Sequence, residues 1–327
     1  MSRFADALEA LPAFRTEMLR ADPGISAQLA RPGEMRIWPG FGGANVHATG
    51  VGLRPGSKDP DDVVLKLFVF TKEAYRAPPK WREFDVDVEV LPIQKKYAAV
   101  PSQQRFRPIP GGVSTAPLGA GYMGTLGCFL QPKDSHELWA LSNNHVFADT
   151  NRLNVGAPIC QAGPESAPTT AADVFGSLLQ FIPLLFAPGS VNDHDAAVVR
   201  VSESASAQLG AQLGIATYAP ANIAQPTTGL AVTKSGRTTG VTRGIVTAAA
   251  VNGVKVDYGG GQIGVFNNVV RIVGNEGASF SLPGDSGSLV LSSAKGEPAA
   301  LLFAGDGVNT FASPIGSLCN RLGAWPV

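Results

Sequence analysis

A serine stands between glycines in Gly284-Asp285-Ser286-Gly287-Ser288, directly before the apolar run Leu289-Val290-Leu291. A serine nucleophile needs a backbone that can bend closely around a carbonyl carbon, and glycine permits that bend. The N–H groups of Gly284 and Ser286 are the natural donors to the oxyanion that develops during acyl transfer. A neutral hydroxyl is a poor nucleophile, so it also needs an imidazole base and a carboxylate to fix the imidazole's tautomer. Both occur upstream. His145 follows the apolar stretch Leu138-Trp139-Ala140-Leu141, and Asp195 opens Ala196-Ala197-Val198-Val199-Arg200-Val201. Asp193 competes for the acid role, but Asp195 directly precedes the apolar strand. His47 in the amino-terminal region, His136 in a charged turn and His194 beside the acid are read as non-catalytic.

The order His, Asp, Ser separates this constellation from the subtilisin order Asp, His, Ser and the α/β-hydrolase order Ser, Asp, His. On these blocks the chain resembles the trypsin-like (chymotrypsin-fold) serine peptidases over roughly its last two thirds. A second block, Val232-Thr233-Lys234-Ser235-Gly236-Arg237-Thr238-Thr239-Gly240, is similar to the segment that opens the second barrel of bacterial enzymes such as the streptogrisins. The layout as a whole, with an amino-terminal module and Phe303-Ala304-Gly305, resembles the intracellular bacterial trypsin-like peptidases related to the plant Narrow Leaf 1 protein.

The resemblance implies a mainly β protein, a chymotrypsin-like double antiparallel β-barrel preceded by a small α+β module. It implies a serine endopeptidase working through an acyl-enzyme, with Ser286 as nucleophile, His145 as base and Asp195 orienting it. Counting back from the nucleophile puts Phe280, with Ser281 next, where trypsins carry the aspartate that meets Arg or Lys. An apolar floor cannot compensate the desolvation of a cation, so cleavage is expected after uncharged, apolar residues. Gly305 and Asp306 belong to the same substrate-binding set, and Asp306 is the group that could instead meet a basic side chain. Lys234 is expected to ion-pair with Asp285 and so to do the work of a freed α-amine, making the uncut chain competent. One departure stands out: Leu302-Phe303-Ala304-Gly305 lacks the serine with which secreted relatives support the triad acid, leaving the orientation of Asp195 to other groups. Two rivals remain. An esterase or lipase is disfavoured by the triad order and by Ser288, which breaks the Gly-x-Ser-x-Gly elbow. A catalytically weak or inactive peptidase-fold binding or scaffold protein is the alternative carried forward.

The 327 residues are 44% apolar and 16% charged, with formal net charge +0. A folded chain of this length has a full core, and its charge balance offers no footprint for nucleic acid or an anionic membrane. The cationic spot Gln94-Lys95-Lys96-Tyr97 reads as a solvated surface turn. No metal spacing and no phosphate loop are present, so neither metal nor cofactor is expected. Charges at Arg3 and Asp6 interrupt any signal-peptide core, and no apolar run reaches the roughly 18 residues of a membrane span. Three cysteines, Cys128, Cys160 and Cys319, cannot form a paired framework and read as buried small hydrophobes. The expected compartment is the cytoplasm, and the expected partner is a protein or peptide substrate. The amino-terminal module reads either as a structural extension that covers apolar barrel surface or as a docking surface for a homo-oligomer or a regulatory partner.

Along the chain, residues 2–20 carry helical periodicity interrupted by Pro12, which predicts a kink or two short helices. Strands are expected over Gly43–Leu53, Val63–Phe70 and Phe84–Leu91. The expected organisation is an accessory module over 1–100, a Pro/Gly/Arg-rich linker over 101–114, a first barrel over 115–222 with His145 and Asp195, and a second over 223–327 with Ser286. Gly259-Gly260-Gly261 reads as a hairpin turn.

Overall fold

A computed structural model describes residues 3–18, 46–69, 79–90, 94–95, 104–164 and 167–327. Helix α1 runs unbroken over Arg3–Met18, with Pro12 inside it. The interruption expected at Pro12 does not divide the helix: Ala7, Ala10, Leu11, Phe14 and Met18 form one buried stripe, and that packing outweighs the single lost backbone bond. The strands that follow are β1 (Val46–Leu53), β2 (Val63–Val69), β3 (Lys80–Trp81), β4 (Phe84–Val90) and β5 (Gln94–Lys95). The parts of the expected strands at 43–45, 70 and 91 lie outside the described residues. In β2, Val63, Leu65, Leu67 and Val69 face Phe14 of α1 and Phe84 of β4, while Phe68 on the opposite face joins a core with Val251, Phe266 and Phe303. The fully buried run therefore reflects a strand covered on both sides.

The first barrel is built from β6 (Ile109–Gly111), β7 (Ser114–Pro117), β8 (Gly124–Thr125), β9 (Cys128–Pro132), β10 (Trp139–Ser142), helix α2 (Asn144–Phe147), β11 (Pro158–Cys160), β12 (Val174–Phe181), β13 (Ala197–Val201) and β14 (Ala207–Gln212). The second comprises β15 (Ala231–Gly236), β16 (Gly240–Asn252), β17 (Val254–Asp257), β18 (Ile263–Phe266), β19 (Val269–Gly274), β20 (Leu289–Ser292), β21 (Pro298–Gly305) and β22 (Asn309–Pro314), followed by helix α3 (Ile315–Leu322) and β23 (Ala324–Pro326). Pairing in the order β15-β16-β19-β22-β21-β20 returns to β15 and closes a six-stranded antiparallel barrel. The first sheet, β23-β9-β10-β13-β12-β11-β7-β8, curls as a half-barrel around Phe129, Phe147, Leu178 and Val199. The fold is thus mainly β, a chymotrypsin-like double barrel.

Residues 109–114, within the stretch expected to link module and barrel, carry β6 and are buried. The amino-terminal sheet is continuous with the second barrel: β1 pairs antiparallel with β16 through Thr49↔Asn252 and Gly52↔Ala248. The backbone of Gln94–Lys95 is not a surface turn but β5, paired parallel with β17 and, at Lys95↔Gly305, antiparallel with β21. A short strand there satisfies backbone groups on two neighbouring edges.

Candidate active site

β10 delivers the chain to α2, and α2 places His145 beside the mouth of β13. His145 Nδ1 lies 2.5 Å from Asp195 Oδ2, and the His145 backbone N–H donates to Asp195 Oδ1 at 3.2 Å. Asn143 Nδ2 donates to the Asp195 carbonyl at 2.7 Å, fixing the backbone from which the carboxylate projects. The His145 and Asp195 side chains are buried, as is Ser286. The pairing of Nδ1 with a carboxylate holds the imidazole in the tautomer that leaves Nε2 as the free acceptor. That Nε2 is buried without a hydrogen-bond partner among the described residues. His194 is buried too, and burial lowers its pKa from 6.5; it takes no part in the Asp195 contacts.

The turn that carries Ser286 belongs to the second barrel and is clamped by the first. Thr125 N–H donates to the Ser286 carbonyl at 2.8 Å, and Thr125 Oγ1 donates to the Gly284 carbonyl at 2.9 Å. Two glycines in the turn have physical necessity. Gly284 has φ +98°, and a Cβ there would strike Thr238 and Arg237; Gly287 has φ +94°, and a Cβ would strike the Thr125 carbonyl and Ser142. The Asp285 N–H donates to the Leu282 carbonyl and the Gly287 N–H to that of Leu302. The N–H groups of Gly284 and Ser286 have no acceptor among the described residues. Ser286 Oγ donates to the Phe303 carbonyl at 3.4 Å, and no Ser286–His145 hydrogen bond is formed in this state.

Asp285 carries a buried charge network. Lys234 Nζ lies 3.3 Å from Asp285 Oδ2, with both side chains fully buried. Asp285 also accepts from Thr238 N at 2.9 Å, Thr239 N at 3.2 Å, Leu282 N at 3.0 Å and Thr239 Oγ1 at 2.7 Å. Lys234 donates further to the Gly240 carbonyl at 3.1 Å and to Thr239 Oγ1. Burial lowers the Lys234 pKa and Asp285 opposes that shift.

The residues expected to bind substrate are dispersed. Phe280 is packed in the second barrel's core with Val246, Ile272 and Leu302. Ser281 Oγ pairs with Thr310 Oγ1 at 2.6 Å. Gly305 ends β21 against β5 and β22. The Asp306 carboxylate accepts from Val308 N, Asn309 N and Asn309 Nδ2, so it caps its own turn. Leu282 and Val308 are the exposed apolar side chains near this turn.

Sequence reasoning left open what would orient Asp195. A tyrosine does so: Tyr258 Oη donates to Asp195 Oδ2 at 2.7 Å. Its only sequence signal is its position before the glycine run 259–261, all at positive φ, which turns β17 into β18.

The closed barrel and the half-barrel together define a chymotrypsin-like double-barrel architecture. Residues 190–310 match the family model described as the Nal1 C-terminal domain. The match covers the region from the end of the first barrel through most of the second. The matched stretch contains Asp195, Lys234 and Ser286 but not His145. Among solved structures the chain is similar to Thermobifida fusca Protease A, at 18% identity over 67% of this chain and 98% of that one, TM-score 0.47. It is also similar to a glutamic acid specific serine protease with a histidine triad in substrate binding, at 22% identity over 67% and 100%, TM-score 0.44. Cellulomonas bogoriensis chymotrypsin is similar at 19% identity over 67% and 98%, TM-score 0.44. Comparison with curated proteins finds no match.

Proposed function

We propose that the chain is a serine endopeptidase. Ser286 Oγ attacks the scissile carbonyl and its proton passes to His145 Nε2. The tetrahedral oxyanion is held by the N–H groups of Gly284 and Ser286. Collapse expels the amine, protonated by His145, and water then releases the acyl group by the same route in reverse. The observation that carries this reading is the Asp195–His145 contact of 2.5 Å, which leaves a buried, unpartnered Nε2 as the site's base. Ser286 must leave the Phe303 carbonyl to use it, and the 3.4 Å contact there is a weak one.

The missing Ser286–His145 bond favours a second reading, a peptidase-fold scaffold without turnover. Labelling with an organophosphonate and digestion of a peptide library separate the two. The peptidase labels at Ser286 and loses cleavage in Ser286→Ala and His145→Ala. Labelling elsewhere, or cleavage unchanged in Ser286→Ala, rejects it. We further propose cleavage after uncharged, apolar residues, since the Asp306 carboxylate is taken up by its own turn while Leu282 and Val308 are exposed beside it. Protein or peptide substrates are the proposed partners. The cytoplasm is the proposed compartment, supported by three buried, unbridged cysteines.

A further inference from the structure

We propose that Tyr258 is a positioning residue of the catalytic site, the donor that locks the Asp195 carboxylate onto His145. The role presupposes hydrolysis through Ser286 and adds a residue that neither motif nor family match assigns to it. Asp195 Oδ2 receives two donors, His145 Nδ1–H at 2.5 Å and Tyr258 Oη–H at 2.7 Å, while Oδ1 receives the His145 backbone N–H at 3.2 Å. A carboxylate with one donor on each oxygen can still rock about its Cβ–Cγ bond. A second donor on Oδ2, from a different direction, removes that freedom and satisfies a further lone pair of a buried charge.

Tyr258 is itself held rigidly. Its ring meets those of His145 and Phe186 edge-on at centroid distances of 5.8 and 5.6 Å, and Phe266 lies at 6.3 Å. Phe266 in turn packs at 4.6 Å on Phe303, the residue whose carbonyl holds Ser286 Oγ. The hairpin carrying Tyr258 is stitched to the acid's own segment: Asn192 N–H donates to the Val265 carbonyl at 2.7 Å, and Asn267 N–H to the Asn192 carbonyl at 2.9 Å. Acid, base and tyrosine therefore move as one body. Burial and the neighbouring Asp195 charge raise the Tyr258 pKa well above 10.0, so the phenol stays protonated and can only donate to the carboxylate.

Tyr258→Phe keeps the ring contacts and deletes the donor. Hydrogen bonds to charged groups are worth enough for a tenfold to hundredfold effect, so kcat should fall by about that factor with KM nearly unchanged. The downfield proton resonance of His145 Nδ1–H, observed with ¹⁵N-histidine labelling, should shift or broaden in the variant. A merely structural tyrosine would alter thermal stability and leave that resonance in place. Wild-type kcat in Tyr258→Phe, or an unmoved resonance, overturns the proposal. If the wild-type protein shows no Ser286-dependent hydrolysis, the peptidase assignment fails separately. The resonance alone then decides whether Tyr258 positions the Asp195–His145 pair.

Discussion

Replacing Lys234 tests whether the buried charge behind the nucleophile shapes the site. Its Nζ is 3.3 Å from Asp285 Oδ2 and neither side chain reaches solvent. Removing one member of such a pair strands the other, at a typical cost of about 3–5 kcal/mol. Asp285 keeps the donors Thr238 N, Thr239 N, Leu282 N and Thr239 Oγ1, which places the expectation near the lower end, ~3 kcal/mol. Lys234→Met keeps the stem's packing and removes the charge, whereas Lys234→Ala also opens a cavity and should be less stable still. The functional effect follows from where Asp285 sits, between the two N–H groups that would hold the oxyanion. Loss of one such donor costs about 10²–10³ in kcat, and a loosened turn should approach that range with little change in KM. The assay is steady-state hydrolysis of a quenched fluorescent peptide, with melting temperatures measured alongside for Lys234→Met, Asp285→Asn and the double variant. The double variant should be less impaired than the sum of the singles. A folded Lys234→Met protein with wild-type kcat would refute the reasoning, as would obligatory cleavage near Gly111 in the active enzyme.

Other expectations follow from the same structure. Because the folded Lys234 pKa lies below 10.5, the ammonium is lost as pH rises through that lowered value; kcat/KM should show an alkaline limb below pH 10.5 that moves upward in Lys234→Arg, and an identical limb in the variant counts against the assignment. His194 has a folded pKa below its unfolded 6.5, so the unfolded state binds the extra proton first and stability should fall as pH drops through 6.5; melting curves of His194→Gln should lack that component. Mapping of cleavage sites should show apolar residues before the cut, and a strict preference for Arg or Lys rejects that specificity. Removing residues 1–100 strips β1 from β16 and uncovers Val251, Phe266 and Phe303, which pack against Phe68, so the truncated protein should lose solubility or melt lower; unchanged behaviour contradicts a structural role for the module.

The parts of the site written in short local patterns could be read from sequence. Gly284 and Gly287 announce a turn that no side chain would tolerate, and an apolar strand beside His145 or Asp195 announces where each is held. Tyr258 gave no such sign, because its role depends on a hairpin docking on Asn192 from far along the chain. The double barrel was legible only through the resemblance that the His145, Asp195 and Ser286 blocks carry, in their order along the chain. The union of the amino-terminal sheet with the second barrel was not, since strand partners at long separation leave no mark in either strand alone. The helix across Pro12 shows the same limit: a local breaker signal was overridden by the stripe of Ala7, Leu11 and Phe14.

Strand β23 belongs to the half-barrel although the whole second barrel precedes it in sequence. Ala324–Pro326 pairs with Leu130–Pro132, Val327 N–H donates to the Phe129 carbonyl at 3.1 Å, and Gly210 N–H donates to that of Val327 at 3.2 Å. On the ribosome, then, the half that carries His145 and Asp195 keeps an open sheet edge until residues 324–327 have emerged, and long-range pairing of this kind is slow to form. Ser286 has been synthesised by then, but the framework that aligns its partners has not been completed. Under the proposed peptidase function, the cleft stays unfinished while the chain's own unfolded polypeptide is the nearest substrate.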